Sequence, residues 1–453
     1  MSTEKVSRFI VGTSYEEIPE AAIKDAKKAI LDCIGVTLAG SKEAGGRIIT
    51  EYVREEEGKT EAGVFGGGFK ALASQAAWAN GTMAHALDYD DYSIYIIGHP
   101  TVAILPTALA IGEKYHLSGK DVLLSYIIGF ETGAKVGPAC ATHYLVGWHT
   151  TSTIGSISTA AAAAKMLNLN IQETKMSLGI AASLASGVKE NFGTMTKPFH
   201  AGNASRNGIV AASLAKKGFT ANDSILETPQ GFCRVFAGGA DIEIEKIGEG
   251  LGERYDIIDG IVIKPWPSCG GTHTSIEAAL HLREKHGIKA SDVEEVEFIT
   301  LPGLSTATIH SRPKKGLEGK FSNEYCIARA LLDGEVTLSH FTDEKVMQKE
   351  AQALIPKVKN VHLSEESVDL STPFASEVVI KLKDGRVVSQ KVDYPKGEAH
   401  NPLSWENISA KFRDCALSTL SQRDVETCLD MISNLESIDD ISNLTEILTF
   451  GSK

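Results

Sequence analysis

The sequence has no Cys-x-x-Cys pair. Its seven cysteines (Cys33, Cys140, Cys233, Cys269, Cys326, Cys415 and Cys428) are scattered. That argues against a structural zinc site, a cysteine-ligated iron–sulfur cluster or a disulfide framework, and a reducing, cytoplasmic compartment is expected. Long apolar runs are missing too. Residues 101–112 are interrupted by Pro106 and too short to span a bilayer, and residues 1–10 are too polar for a secretory leader. No basic block offsets the net charge of −13, so neither nucleic acid nor a membrane is an expected partner. No Gly-x-Gly-x-x-Gly follows a strand-like run. Gly66-Gly67-Gly68-Phe69-Lys70 lacks the outer glycine and the following hydroxyl of a phosphate loop. The triplet reads as a turn, and no nucleotide cofactor is expected.

What is present is 453 residues with 43% apolar and 23% charged content, enough for a soluble protein with more than one core. Residues 15–235 read as successive helices over 19–38, 71–87, 101–115, 119–136, 156–167 and 205–216. They are rich in small residues, as buried helices that approach closely would be. The character changes near Ile261. Residues 293–300 alternate like a strand, and 376–383 and 386–393 flank Asp384-Gly385, a hairpin signal. Helices are expected at 274–285, 323–332 and 343–355. After Pro402 the chain reads as helical again, with Ser404, Ser421 and Ser437 as candidate N-caps.

Four clusters carry chemistry. Asp88-Tyr89-Asp90-Asp91-Tyr92 followed by Gly98-His99-Pro100 sets carboxylates and an imidazole in a loop between helices, where functional groups concentrate. A solvated acidic turn is the bland alternative, and a divalent-ion loop is a minority one because no second ligand set stands nearby. His149 precedes a Thr/Ser row that opens a helix, an end that favours anions. In Thr196-Lys197-Pro198-Phe199-His200-Ala201-Gly202, Lys197 is expected outside a helix because proline follows it, and Gly202 gives room for a ligand. Lys264-Pro265-Trp266-Pro267-Ser268-Cys269, with Thr272-His273, is a stiff segment at the domain junction. Cys269 has no base at fixed spacing, so inert packing is favoured over nucleophilic work.

Taken together these clusters resemble the MmgE/PrpD family. The carriers are Asn80-Gly81-Thr82-Met83-Ala84-His85-Ala86-Leu87-Asp88-Tyr89-Asp90-Asp91, His99-Pro100, His149 with its hydroxyl row, the Lys197 and Lys264 segments, and Lys320-Phe321-Ser322 with Tyr325. The resemblance implies a mainly α fold with a smaller α+β domain. Both chain ends (1–265 and 396–453) would form a large helical domain, with an α+β lid (266–395) inserted between them. It also implies a homodimer and a cleft between the domains that uses neither metal nor organic cofactor. Family members dehydrate 2-methylcitrate, decarboxylate cis-aconitate or epimerise iminodisuccinate. Carried onto this chain, His99 and His149 become the acid/base pair, Asp88 an orienting carboxylate and Tyr325 a donor to an enolate-like oxygen. Lys197 and Lys264 would hold substrate carboxylates, and Tyr92, Cys269 and His273 would line the substrate. In the family's decarboxylase a histidine stands at the place of Cys269 and a threonine at that of Tyr92. The expectation is a hydro-lyase acting on a small di- or tricarboxylate, with epimerisation, decarboxylation and non-enzymatic carboxylate binding as alternatives.

Overall fold

A computed structural model of the chain describes residues 1–140, 142–240, 242–300, 308–362, 372 and 374–452. The chain forms two compact units. The first comprises Met1–Asn191, Met195–Ile263 and Ser404–Lys453; the second comprises Phe192–Thr194 and Lys264–Leu403. The second unit extends past position 395 because its last residues are tied into it. Glu398 bridges Asn401, and Asn401 Nδ2 donates to Glu277 at 3.3 Å.

The first unit is built around the helix Thr150–Met166, buried along nearly all its length. Residues 160–164 are all alanine, and none is more than 1% exposed. Small side chains let backbones meet: a Cβ on Gly208 would lie 2.5 Å from the Thr159 carbonyl carbon. A Cβ on Gly202 would lie 2.2 Å from the Trp78 carbonyl oxygen. Gly202 therefore makes room for a neighbouring helix, not for a ligand as expected. Buried isoleucines such as Ile154 and Ile157 each stabilise this core by about 1.5–3 kcal/mol.

The helices Thr101–Tyr115 and Gly119–Val136 run over the expected residues, the second opened by a Ser118–Asp121 capping box. Two others begin earlier than their apolar periodicity suggests, at Thr150 and Thr196. Lys197 is thereby placed inside a helix, against expectation. Pro198 is its third residue, and the first four N–H groups of a helix have no intrahelical acceptor, so proline loses no bond there. A hairpin joins Ala62–Val64 to Phe69–Ala71 across Gly66 and Gly68, whose φ values of 66° and 73° suit glycine. In the returning segment Ser404 and Ser421 cap their helices as expected, whereas Ser437 ends a short 3-10 turn. Among the described residues no helix is long and apolar enough to cross a membrane.

The second unit carries a four-stranded mixed sheet. Val293–Thr300 pairs parallel with Val358–His362 and antiparallel with Ser376–Leu382, which pairs in turn with Val387–Val392. Gly385, at φ 89°, closes the last hairpin. Alternate residues Val296, Phe298, Val378 and Ile380 face the helices His273–His286 and Asn323–Asp333 in one apolar core. The helix expected over 343–355 breaks into Asp343–Val346 and Lys349–Leu354.

Candidate functional site

The loop of residues 88–99 joins the helices Ala73–Ala84 and Thr101–Tyr115. Two non-glycine residues near its ends have left-handed backbones, Asp88 at φ 52° and Ile97 at φ 51°. That conformation is mild for aspartate but strained for a β-branched residue, so the surroundings must hold it. They do. Thr150 Oγ1 donates to the Ile97 carbonyl, and His99 N–H donates to Thr151 Oγ1 at 2.9 Å. Gly98 permits this approach, since a Cβ there would lie 2.8 Å from Thr151 N. Tyr92–Ser93 pairs with Ile261–Val262, which leaves Tyr92 buried on a strand. Lys411, from the returning C-terminal segment, bonds the Tyr89 carbonyl and Asp32, each at 2.6 Å. The Thr/Ser row after His149 is therefore more than a helix cap: its first two threonines fix the loop that carries His99.

Within the first unit the structure brings Asp88, His99, His149 and Lys197 together, and adds three residues to which the sequence reading assigned no role: His85, Asp90 and His200. Asp90, fully buried, lies 2.9 Å from His85 Nδ1 and 2.9 Å from His99 Nδ1. The His85 ring centroid is 4.4 Å from that of His99 and 5.8 Å from that of His149. His149, at the N-terminal end of Thr150–Met166, faces His200 with 3.1 Å between their Nδ1 atoms. Lys197 Nζ lies 2.6 Å from Asp88 Oδ1, both side chains being buried. A histidine five residues before an aspartate, inside an acidic run, is the sequence signal that could have drawn attention to His85.

The electrostatics follow from burial and neighbours. Burial, then the Lys197 cation and competition with the His99 ring for a proton, depresses His85 to about 3 against the pull of Asp90. Burial, then Lys197 and the neighbouring imidazoles, holds His149 well below the ordinary range, and His200 falls to about 4 for the same first two reasons. Burial alone would raise Asp90, but the His85 and His99 rings outweigh it and keep it well below the usual carboxylate range. Asp91 behaves oppositely. Burial beside Asp90 and Asp32 pushes it well above that range despite a hydrogen bond from Thr101, which also bonds Tyr126 OH at 2.7 Å. The set thus holds neutral imidazoles, an ionised Asp90 and a cation: groups suited to taking a proton from carbon and holding a carboxylate.

His85, Asp88, Asp90 and His99 bring donor atoms within 4.8 Å of one another, close enough to surround an ion. The chemistry of the set does not fit one. The Lys197 cation already occupies Asp88, and Asp90 already holds both imidazole Nδ1 atoms. A divalent ion would sit against a fixed positive charge.

Lys264, Cys269, His273 and Tyr325 belong to the second unit. Lys264 is fully buried and Cys269 half-buried. Cys269 N–H donates to the Lys320 carbonyl at 2.9 Å, and Ser268 Oγ bonds Thr272 Oγ1 at 2.8 Å. His273 opens the helix His273–His286, and its Nε2 meets the Ser268 carbonyl at 3.2 Å. Tyr325 lies in the apolar core with its hydroxyl given to the His340 carbonyl. That bond would have to break for the donor role expected of it.

Comparisons with known proteins agree along the chain. The MmgE/PrpD N-terminal domain matches residues 4–245 and the MmgE/PrpD C-terminal domain matches residues 266–437. The chain is 29% identical to cis-aconitate decarboxylase of Mus musculus, over 98% of this chain and 93% of that protein. It is 28% identical to cis-aconitate decarboxylase of Aspergillus terreus, over 98% and 95%. The 2-methylcitrate dehydratase of Salmonella typhimurium is 25% identical over 85% of this chain and 84% of its own. Both family domains follow one another in order over nearly the whole sequence, and on that ground the chain belongs to the MmgE/PrpD family.

Proposed function

We propose that this protein is a lyase that acts on a small di- or tricarboxylate by moving a proton at a carbon beside a carboxylate, using its own side chains alone. The observation that carries this reading is the set in the first unit, buried except for a half-buried His99: Lys197 paired with Asp88, His99 held by Asp90, and His149 at a helix N-terminus. Lys197 has three donors and can serve a substrate carboxylate while keeping Asp88. A neutral His99, oriented through Nδ1, presents Nε2 as a base. In a dehydration, His99 would take the proton α to a carboxylate, a carbon–carbon double bond would form, and the β-hydroxyl would leave as water after accepting that same proton, returned by the His99 imidazolium directly or through His149. In a decarboxylation the carbon–carbon bond to the departing carboxylate would break, CO₂ would leave, and the carbon would accept a proton from an imidazole that had first taken one up from solvent.

End-to-end likeness to cis-aconitate decarboxylases makes decarboxylation the first activity to assay. Dehydration of a hydroxy-tricarboxylate is the second, favoured by likeness to 2-methylcitrate dehydratases. A homodimer is part of the proposal, and sedimentation velocity would test it. Thermal-shift measurements with cis-aconitate, citrate and 2-methylcitrate should find stabilisation by at least one. NMR in deuterated water should then show label entering beside a carboxylate, with CO₂ release separating decarboxylation from dehydration. Failure of every di- and tricarboxylate both to stabilise the protein and to acquire label would overturn the reading.

A further inference from the structure

Asp90 is the carboxylate of this site least explained by substrate binding. Its two oxygens face Nδ1 of His85 at 2.9 and 3.0 Å, and one of them faces Nδ1 of His99 at 2.9 Å. His99 Nδ1 also lies 2.7 Å from the Asp91 carbonyl oxygen. Each Nδ1 therefore looks onto acceptors only. An ionised carboxylate and a backbone carbonyl cannot donate, so each ring must carry its proton on Nδ1 and keep a lone pair on Nε2.

We infer that Asp90 is a positioning residue shared by two imidazoles, and that His85 joins His99 as a second proton carrier of the site, the two rings together holding no more than one added proton. This rests on the proton-transfer reading above and deepens it. One negative charge lies between two rings whose centroids are 4.4 Å apart. A first added proton leaves an imidazolium beside Asp90. A second would place two cations at that separation, next to Lys197 from the helix Thr196–Ala215 and near His149 from the start of Thr150–Met166. Other charged or titratable neighbours are Asp88, paired with Lys197, His200, Asp91, Asp32, and Cys33, whose thiol is pushed well above its ordinary range by burial and by Asp91, Asp90 and Asp32. None of these readily supplies a second negative charge to the ring pair, since burial pushes Asp91 towards its neutral form, Asp32 is paired with Lys411 and Asp88 with Lys197. Among the described residues no hydrogen-bond partner meets Nε2 of His85, which is 1% exposed.

The test reads the rings directly and needs no substrate, so this inference and the proposed activity can fail independently. In the full-length protein labelled with ¹⁵N-histidine, two-bond ¹H–¹⁵N spectra should show both His85 and His99 as Nδ1–H tautomers at neutral pH. Asp90→Asn removes the shared charge and should lower the His99 titration midpoint by about one pH unit or more. His85→Phe keeps a ring but withdraws one donor from Asp90, so the carboxylate holds the His99 proton more tightly and the midpoint should rise. His85→Gln restores a donor and should return it to near the wild-type value. A purely structural role predicts no such opposed shifts. Thermal melting checks folding first, and if Asp90→Asn does not fold, the two His85 variants and the wild-type tautomers decide. Either ring appearing as the Nε2–H tautomer, or a His99 midpoint that stays in place in the folded variants, overturns the inference.

Discussion

The loop of residues 88–99 in the first unit and the segment 264–273 in the second both gather polar side chains under cover, but they satisfy them differently. In the loop, ionisable groups meet one another: Asp90 faces two imidazoles and Asp88 faces Lys197, while burial pushes Asp91, which accepts from Thr101, well above the usual carboxylate range. In the segment, side chains lean on backbone and on one another. His273 meets the Ser268 carbonyl, and the Cys269 amide meets the Lys320 carbonyl. The first arrangement is sensitive to any change of charge or pH. The second, at Ser268, Cys269 and His273, rests on hydrogen bonds to and between backbone and hydroxyl groups.

Lys197→Met should break the comparison most sharply. Removing one partner of a buried ion pair leaves a desolvated charge and costs about 3–5 kcal/mol, here at Asp88. Activity on any carboxylate substrate should fall by at least about a hundredfold, a loss of about 3 kcal/mol in transition-state binding. Adding Asp88→Asn should return much of the melting temperature but none of the activity. If the single variant melts like wild type, the pair is not the buried charge anchor described here.

Acid should come next. His85, His149 and His200 are all held below the ordinary histidine range. A base whose folded pKa is depressed takes up its proton more readily when unfolded. Its contribution is therefore present above about pH 6.5 and lost as pH falls below that, by on the order of 1 kcal/mol per pH unit for each group. Asp90, held low in the folded state, loses its contribution in the same direction but at lower pH, below its unfolded value. Peptide-resolved hydrogen exchange between pH 7 and 5 should show residues 73–115 and 150–166 opening before the 293–300 and 376–392 strands. Opening in the reverse order would remove the contrast.

How much of this was legible in the sequence depended on what kind of signal each feature sends. The strand Val293–Thr300 and the Asp384-Gly385 hairpin could be read because alternation and turn chemistry are local. The exact starts of Thr150–Met166 and Thr196–Ala215 could not, because a row of hydroxyls can cap a helix or enter it, and a Lys-Pro step argues locally for a loop. Only burial against neighbouring helices overrides them. At the site, Asp88, His99, His149 and Lys197 could be named one by one. That His85 and His99 share Asp90, and that Tyr325 spends its hydroxyl on a carbonyl in the core, depends on three-dimensional neighbours that no spacing encodes.

A smaller effect is expected where the two styles of support meet. Thr150→Val removes the hydroxyl that holds the Ile97 carbonyl while keeping the shape of the side chain. One hydrogen bond contributes about 1 kcal/mol, but this one also restrains a left-handed isoleucine two residues before His99. The melting temperature should fall by a few degrees. The larger consequence should be in kcat, by about tenfold, because an imidazole misplaced by an ångström loses its near-attack geometry. A loss of stability with kcat unchanged would show that the loop keeps His99 in place without this contact.

The smallest effect is expected at Cys269, and it is the one that sharpens the contrast. Its amide gives a proton to the Lys320 carbonyl, and its own carbonyl receives the Thr272 amide and hydroxyl. These bonds belong to the backbone and survive any side-chain change that keeps the residue small. Cys269→Ser should therefore alter kcat/KM by less than about threefold, under 1 kcal/mol, and leave the melting temperature within a degree or two. Asp90→Asn changes about as few atoms, yet there the side chain itself carries the charge on which two imidazoles depend. If Cys269→Ser were as damaging as a charge change in the loop, the thiol would be acting on the substrate, and the second segment could no longer be described as support by geometry.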